Sequence, residues 1–244
     1  MGGRTDHDVA MSEEKLVVFL ELVVAHFAED LAWLRNIPPQ IRVTVYDKSL
    51  AHRHPGARLL PNVGREAHTY LHHILARYDT LAPLTIFCQG KPFDHVFDFR
   101  KTLREWVQKP DPIEDFQWLG HIIDTDDARG RRLFVPWSKN HDGHELDIAA
   151  FHRALFGHDG PEAYVFRLGA HFAATPKCIQ RRPREFYQRA LQLSVEFPDA
   201  AHCFERSWDR VFGVTGIDLK WLAGRQTVYL KPIRRLENEV ETLL

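Results

Sequence analysis

The chain contains little cysteine. Only Cys88, Cys178 and Cys203 occur in 244 residues, and no two of them have Cys-x-x-Cys spacing. An odd number of widely spaced cysteines argues against a disulfide framework and against a thiolate zinc site. This usage fits a reducing compartment, and we expect a cytoplasmic protein.

Long apolar runs and an excess of one charge are also absent. The apolar run of residues 16–27 is interrupted by Glu21 and is shorter than the roughly 20 residues that span a bilayer. Glu13 and Glu14 precede it, where a signal peptide would carry basic residues. Lys and Arg total 32 against 33 Asp and Glu. We therefore expect no membrane span and no nucleic-acid partner.

What is present is ordinary globular composition with many histidines. The hydrophobic fraction is 44% and the charged fraction is 27%. A chain of this length fits one α/β domain, which we expect over residues 13–244, after a disordered start at 1–12 and with an irregular insertion around 110–145. The 15 histidines favour metal or acid/base chemistry without locating it.

Apolar strands and amphipathic helices alternate in the first half. Residues 16–25, 41–46 and 84–88 are typical of buried strands, and apolar positions at three- and four-residue steps predict a helix over 65–78. This is a βαβ series, whose ligand crevice lies at the carboxyl ends of the strands. Beyond it we predict helices at 94–108, 146–156, 183–197 and 202–212, strands at 164–174 and 227–230, and a charged C-terminal helix.

The stretch from Leu60 to His95 is where we expect the chemistry to centre. Asn62, Gly64 and Arg65 stand at a helix start, where free N–H groups and a guanidinium suit a phosphate or carboxylate. The structural alternative is that Asn62 caps the helix, Gly64 permits a turn and Arg65 pairs with Glu66 or Glu29.

A second candidate segment, Gln89 to His95, follows a buried strand directly. Gly90 lets backbone approach a ligand, Lys91 can neutralise a phosphate, and Asp94 with His95 can form an acid/base or metal pair. The alternative is a Gly-Lys-Pro turn with Asp94 capping the next helix.

Other clusters give weaker signals. His68 and His72 share a helix face and can supply two zinc ligands, with Asp94 or His95 as a third, but the glutamate of a zincin motif is missing. Solvated helix-face histidines are therefore the preferred interpretation. Asp124-Thr-Asp-Asp127 is interpreted as a charged loop, and His141-Asp-Gly-His144 is assigned no role.

Several blocks resemble the family known as domain of unknown function 3431. They are Val-Val-Ala-His-Phe-Ala-Glu-Asp-Leu-Ala-Trp-Leu (23–34), Leu-Pro-Asn-Val-Gly-Arg-Glu-Ala-His-Thr-Tyr-Leu (60–71), Thr-Ile-Phe-Cys-Gln-Gly-Lys-Pro-Phe-Asp-His (85–95), Gly-Ala-His-Phe-Ala-Ala-Thr (169–175) and Arg-Arg-Pro-Arg-Glu-Phe-Tyr (181–187). The resemblance implies kinship to nucleotide-sugar glycosyltransferases of the GT-A type, since Asn62-Val-Gly-Arg-Glu-Ala is similar to their Asn-x-Gly-x-x-x-Ala element. Where those enzymes carry Asp-x-Asp for a divalent ion, this chain has Gln89-Gly-Lys91, which leaves the use of Mn²⁺ or Mg²⁺ open.

The resemblance implies a single-domain, GT-A-like α/β fold with a mostly parallel twisted sheet and helices on both faces. It implies sugar transfer from a nucleotide-sugar donor to an unknown acceptor. Donor-binding residues would be His26, Glu29, Asp30, Asp47, Asn62, Gly64, Arg65, Glu66, Gln89, Gly90 and Lys91, and catalytic residues would be Asp94, His95, Glu205 and His171. Two alternatives stay open: a metal-dependent hydrolase using His68, His72, Asp94 and His95, and a non-catalytic nucleotide- or sugar-binding domain.

Overall fold

The computed structural model describes residues 20–49, 54–108, 114–138 and 142–230. Within these ranges the strands are β1 (Leu20–His26), β2 (Ile41–Asp47), β3 (Arg58–Leu59), β4 (Leu84–Gln89), β5 (Phe116–Trp118), β6 (Ile122–Asp127), β7 (Ala163–Arg167), β8 (Phe172–Ala174) and β9 (Val228–Tyr229). The α-helices are α1 (Arg65–Arg77), α2 (Phe99–Gln108), α3 (Phe134–Trp137), α4 (Ile148–Phe156), α5 (Pro176–Ile179), α6 (Arg184–Glu196), α7 (Ala200–Glu205) and α8 (Trp208–Val211). Short 3₁₀ helices cover Ala32–Asn36, Pro92–Asp94 and Leu219–Trp221.

The main sheet has the strand order β3-β2-β1-β4-β8-β5. Its centre is parallel, with Leu20 of β1 opposite Ile41 of β2 on one side and Leu84 of β4 on the other. β8 is antiparallel to both β4 and β5. The α/β class is therefore confirmed, and the sheet is mixed rather than all parallel, because β8 alone runs against the other five strands.

The antiparallel strand arises where the predicted strand 164–174 is broken. Gly169 has a φ of 94° and Ala170 a φ of 53°, and these left-handed residues end one strand and redirect the chain into the next. The first part, β7, joins a separate antiparallel sheet of order β7-β6-β9, and the second part, β8, enters the main sheet. A single continuous strand at this position was a wrong prediction.

Other predicted elements are shorter or divided. The helix predicted from 94 begins at Phe99, after a 3₁₀ turn, and the helix predicted over 202–212 is two short helices, α7 and α8. The described residues of the region 110–145, where we predicted an irregular insertion, include β5, β6 and α3. The predicted disordered start and the charged C-terminal helix lie outside the described residues.

Both faces of the central strand are covered. Along β1, Leu22 and Val24 enter one hydrophobic core, while Val23 enters a second core on the opposite face. This follows from the two-residue side-chain period of a strand, and it explains why β1 is apolar at nearly every position. Helix α1 packs between the sheet and helices α6 and α7. In the described part of the chain, no helix is long and apolar enough to cross a membrane.

Candidate functional site

A cleft of about 240 Å³ opens at the carboxyl ends of β1, β2 and β4, next to the first turn of α1. This is the edge at which an α/β sheet offers loops and a helix N-terminus to a ligand. Its lining, here called the α1 cleft, consists of Ala25, His26, Phe27, Glu29, Lys48, Asn62, Arg65, Glu66 and Gln89.

Most of the polar residues of this cleft were predicted from the sequence. The structure brings together His26, Glu29, Asn62, Arg65, Glu66 and Gln89, which come from three separate segments. The remaining candidates lie outside the lining: Asp30, Asp47, Gly64, Gly90, Lys91, Asp94, His95, His171 and Glu205.

His26 is held by a buried carboxylate. Its Nδ1 lies 3.1 Å from Oδ1 of Asp47, and its Nε2 lies 3.1 Å from the carbonyl oxygen of Glu29. Burial tends to raise the pKa of Asp47, but the backbone N–H groups of His54 and Ser49 and the nearby His26 outweigh it, so that the pKa is lowered. Asp47 therefore positions His26 and the following turn, behind the cleft.

Glu29 folds back over its own loop. Its Oε2 accepts hydrogen bonds from the N–H groups of Phe27 at 2.8 Å and Ala28 at 3.1 Å. A Cβ on Gly90 would lie less than 3.0 Å from this carboxylate, and the Gly90 carbonyl oxygen accepts a 2.8 Å bond from Trp33 Nε1. Gly90 thus makes room for Glu29 rather than for a ligand.

Lys48 is a cleft residue that sequence reasoning missed. Its buried Nζ donates to the carbonyl oxygen of Val63 at 2.6 Å and to that of Arg65. Burial lowers its pKa to about 8, partly opposed by Glu66. A lysine directly after a strand that ends at the ligand edge was the available signal.

The start of α1 is conformationally strained. Gly64 has a φ of 58° and Arg65 a φ of 47°, a region that a residue with a side chain rarely adopts and that is enriched at functional sites. No side chain in the described residues caps this helix start, so Asn62 lines the cleft instead of capping. A Cβ on Gly64 would collide with the Ser194 carbonyl oxygen of α6, which makes Gly64 a packing residue.

The Arg65 guanidinium extends along the mouth of the cleft. Its Nη1 lies 3.1 Å from His202 Nε2, and its Nε lies 3.9 Å from the Glu66 carboxylate. Burial raises the pKa of Glu66, with Arg65 opposing and Glu205 contributing. The structural alternative of an Arg65–Glu66 pair is thus present, but 60% of the Arg65 side chain stays exposed.

Helix α7 places Glu205 beside the cleft. Glu205 Oε1 accepts a 2.7 Å hydrogen bond from the Gly169 N–H, and its other oxygen lies 3.4 Å from Arg206 Nη1. Its carboxylate is close enough to Glu66 to affect that group's pKa. Both carboxylate oxygens of Glu205 thus have protein partners.

The other catalytic candidates are elsewhere. His171 is fully buried, its Nδ1 accepts a 3.4 Å bond from the Gln89 N–H, and burial lowers its pKa to about 3. The ring centroid of His95 lies 6.0 Å from that of His171. Lys91 Nζ pairs with Asp94 at 3.2 Å, with both side chains at least half exposed. The charge of Lys91 is therefore balanced outside the cleft.

The histidines of α1 are not the solvated face that the sequence favoured. His68 and His73 are buried, and His73 Nδ1 lies 3.1 Å from the Tyr46 hydroxyl. The His68 and His72 ring centroids are 6.3 Å apart. Among the described residues, no group of three or more His, Cys, Asp or Glu side chains is arranged to hold a metal ion.

The acidic segment 124–127 also differs from its prediction as a loop. It forms the end of β6, and Asp126 Oδ2 pairs with Arg206 Nη2 at 2.8 Å in the interior. Asp126 also accepts the N–H groups of Leu133 and Phe134, and Asp124 pairs with Arg132. These aspartates hold the second sheet against α3 and the helix end at Arg206.

Comparison with known proteins confirms one part of the resemblance seen in the sequence, the DUF3431 family, and gives no evidence of GT-A similarity. A family model described as a protein of unknown function, DUF3431, matches residues 22–220, which include every residue of the α1 cleft. No curated protein matches the chain. The chain belongs to the DUF3431 family.

Proposed function

We propose that the α1 cleft binds the diphosphate portion of a nucleotide sugar and that the protein transfers the sugar to an acceptor hydroxyl. The observation that carries this proposal is the convergence of His26, Glu29, Asn62, Arg65 and Gln89, with the buried Lys48, at the carboxyl ends of three parallel strands. Such an edge with an uncapped helix N-terminus is suited to phosphate oxygens.

The charges of the cleft favour an anion. Lys48 and Arg65 supply two cationic groups, and the partial positive charge of the α1 N-terminus adds to them. Of the two carboxylates in the lining, Glu29 is neutralised in part by two backbone N–H groups, and burial raises the pKa of Glu66, which favours its neutral form. An arginine can also bind two phosphate oxygens at once.

The order of elements supports a GT-A-like arrangement. β1, its polar loop, β2, the helix α1 led by Asn62-Val-Gly64, and β4 follow one another as the resemblance implies. The cleft volume of about 240 Å³ is below the roughly 300–1,000 Å³ of sites that enclose a whole small molecule. It suits a diphosphate with part of one sugar ring, while the remainder of the donor lies across the open mouth.

In this proposal Glu205 is the group that removes the proton from the acceptor hydroxyl. The hydroxyl oxygen then attacks the anomeric carbon, the bond from that carbon to the phosphate oxygen breaks, and the nucleoside diphosphate leaves. Lys48 and Arg65 stabilise the charge on the leaving phosphate, which is where preorganised donors lower a barrier most. Because the described residues offer no three-ligand metal group, we assign no step to a divalent ion.

A second candidate is a binding domain without turnover. Both carboxylate oxygens of Glu205 are engaged, one by the Gly169 N–H and the other by Arg206, which leaves this group less free to accept a proton. No comparable observation favours the metal-dependent hydrolase.

A thermal-shift screen across UDP-, GDP-, ADP- and CMP-linked sugars, with and without Mn²⁺, tests the proposal. We expect at least one nucleotide sugar to raise the Tm, and nucleotide release to follow when acceptor sugars are added. Stabilisation without release would select the binding domain. The absence of stabilisation by every nucleotide would contradict both candidates.

A further inference from the structure

Near the mouth of the α1 cleft stands an exposed tryptophan. Trp137, the last residue of α3, is 61% exposed, whereas Trp33, Trp118 and Trp208 are buried. An indole left largely in water forgoes the stabilisation that burial of its large apolar surface would give. Isolated exposed apolar residues are common. Exposure alone therefore does not indicate a binding role for Trp137, and its position relative to the cleft has to be considered.

A chain of contacts joins Trp137 to the cleft. The ring centroids of Trp137 and His202 lie 5.7 Å apart, and His202 Nε2 lies 3.1 Å from Arg65 Nη1. Phe134 also packs against His202, with the two ring centroids 5.1 Å apart. The His202 ring therefore lies between the indole at the end of α3 and the guanidinium that lines the cleft.

The local chemistry fits an uncharged, hydroxyl-rich ligand. Arg65 is always protonated and donates, so His202 Nε2 must accept, and the imidazole is neutral. Glu205 lies close enough to His202 to affect the pKa of that imidazole, and its carboxylate oxygens, each with one protein partner, can accept further hydrogen bonds from hydroxyls. An aromatic face next to carboxylate acceptors is complementary to a pyranose ring, which has an apolar C–H face and a hydroxyl rim.

We infer that Trp137 and His202 form a platform for the sugar ring of a carbohydrate acceptor. This inference rests on the proposed function, because it places the acceptor hydroxyl between the platform and the donor cleft. It also extends that function, because it names the acceptor class as a carbohydrate rather than a protein side chain or a lipid.

A matched pair of variants tests the platform. Trp221 is 57% exposed but lines a separate groove with Trp106 and Trp118, so W221A removes an equally exposed indole away from the cleft. Binding of cellobiose, maltose and mannobiose would be measured by saturation-transfer NMR with wild type, W137A, W137F and W221A, in the absence of nucleotide. Thermal unfolding of each variant verifies folding.

We expect wild type to bind at least one disaccharide, and W137A to lose about tenfold or more of that affinity, as when a single aromatic anchor is removed. W137F should retain most of the affinity, and W221A all of it. Wild type that binds none of the sugars, or W137A that binds like W221A, would overturn the inference. Sugar binding that stays intact in W137A, together with a loss of UDP affinity in a separate titration, would overturn the inference and assign the indole to the donor base. If nucleotides fail to bind wild type, the proposed function is contradicted, but the sugar-binding experiment still tests the Trp137 inference because it contains no nucleotide.

Discussion

Lys48 donates a hydrogen bond from its ammonium group to the backbone carbonyl oxygen of Arg65, a residue whose φ is 47°. The same ammonium group bonds the Val63 carbonyl oxygen at 2.6 Å. A buried cation thus holds two carbonyl groups on either side of Gly64 and stabilises the left-handed backbone at the helix start. Arg65 owes its position at the cleft mouth to this arrangement.

Replacing Lys48 with Met should remove a pH-dependent part of the stability. Burial lowers the pKa of Lys48 from 10.5 to about 8, so the unfolded chain binds this proton more strongly. Folding therefore releases a proton between these two values, and the free energy of unfolding rises as the pH increases through about 8. The difference between wild type and K48M, measured by urea titration from pH 7 to 10, should grow in favour of wild type.

The difference between the two proteins is the quantity that matters in that experiment. Burial also raises the pKa of Tyr187 and Cys203, which makes both proteins less stable at high pH in the same way. A difference that does not change with pH would show that Lys48 titrates as an ordinary exposed lysine.

Arg65→Gly should be more stable than Arg65→Ala. Both variants lack the guanidinium, but only glycine adopts a positive φ without a Cβ clash, which is worth about 1 kcal/mol or slightly more. Equilibrium denaturation of the two variants measures this strain directly. Equal stabilities, or a more stable alanine variant, would mean that the left-handed backbone at this position is not strained.

Gly64→Ala should destabilise the fold more than Gly157→Ala. Both glycines have positive φ, 58° and 79°, but a Cβ on Gly157 meets nothing within 4 Å whereas one on Gly64 meets the Ser194 carbonyl of α6. The Gly157 variant should therefore lose only the about 1–2 kcal/mol of unfolding free energy that backbone strain costs. The Gly64 variant should lose more, because its new Cβ also disturbs the packing of α1 against α6. The urea midpoints of the two variants report the difference, and similar midpoints would contradict the close approach of α1 and α6.

As the pH is lowered, the free energy of unfolding should begin to fall at a pH well above the range in which carboxylates titrate. Burial lowers the pKa of His68, His73, His152 and His202 from 6.5 to about 4. The unfolded chain takes up these protons first, so stability present above pH 6.5 is lost as the pH falls towards 4.

His152→Leu tests this pH dependence away from the cleft. The ring of His152 is buried on α4 against Phe156 and Tyr164, so that leucine can occupy the same apolar space. The slope of unfolding free energy against pH should fall by about one proton between pH 6.5 and 4. An unchanged slope would show that this imidazole is protonated in the folded state.

The central parallel strands and the polar residues at their carboxyl ends could be predicted from the local pattern of the sequence. The strands that became β1, β2 and β4 were predicted from apolar, β-branched runs, and because parallel strands end at one edge, the polar residues after them were expected together. His26, Glu29 and Gln89 do meet there. Their ligand-binding roles stay predictions.

Long-range packing explains what local pattern did not predict. The reversal of β8 depends on positive φ at Gly169 and Ala170, and alanine gives no sign of it. The burial of His68 and His73 follows from the packing of α1 between the main sheet and helices α6 and α7, which a helix period alone does not show. Lys48 was missed because its contacts depend on the loop before α1 returning to the end of β2, where Lys48 donates to the Val63 carbonyl oxygen.

Isothermal titration of UDP into wild type, R65A and R104A tests the central claim most directly. Arg104 is an exposed arginine of α2 that lies outside the α1 cleft, so R104A removes the same charge from a different surface. If the α1 cleft is the nucleotide site, UDP should bind wild type and R104A with equal affinity. It should bind R65A at least about tenfold more weakly, which is the loss expected when a charge-assisted contact is removed. Equal affinities of R65A and wild type, or no heat of binding with wild type, would contradict the assignment of this cleft as the nucleotide site.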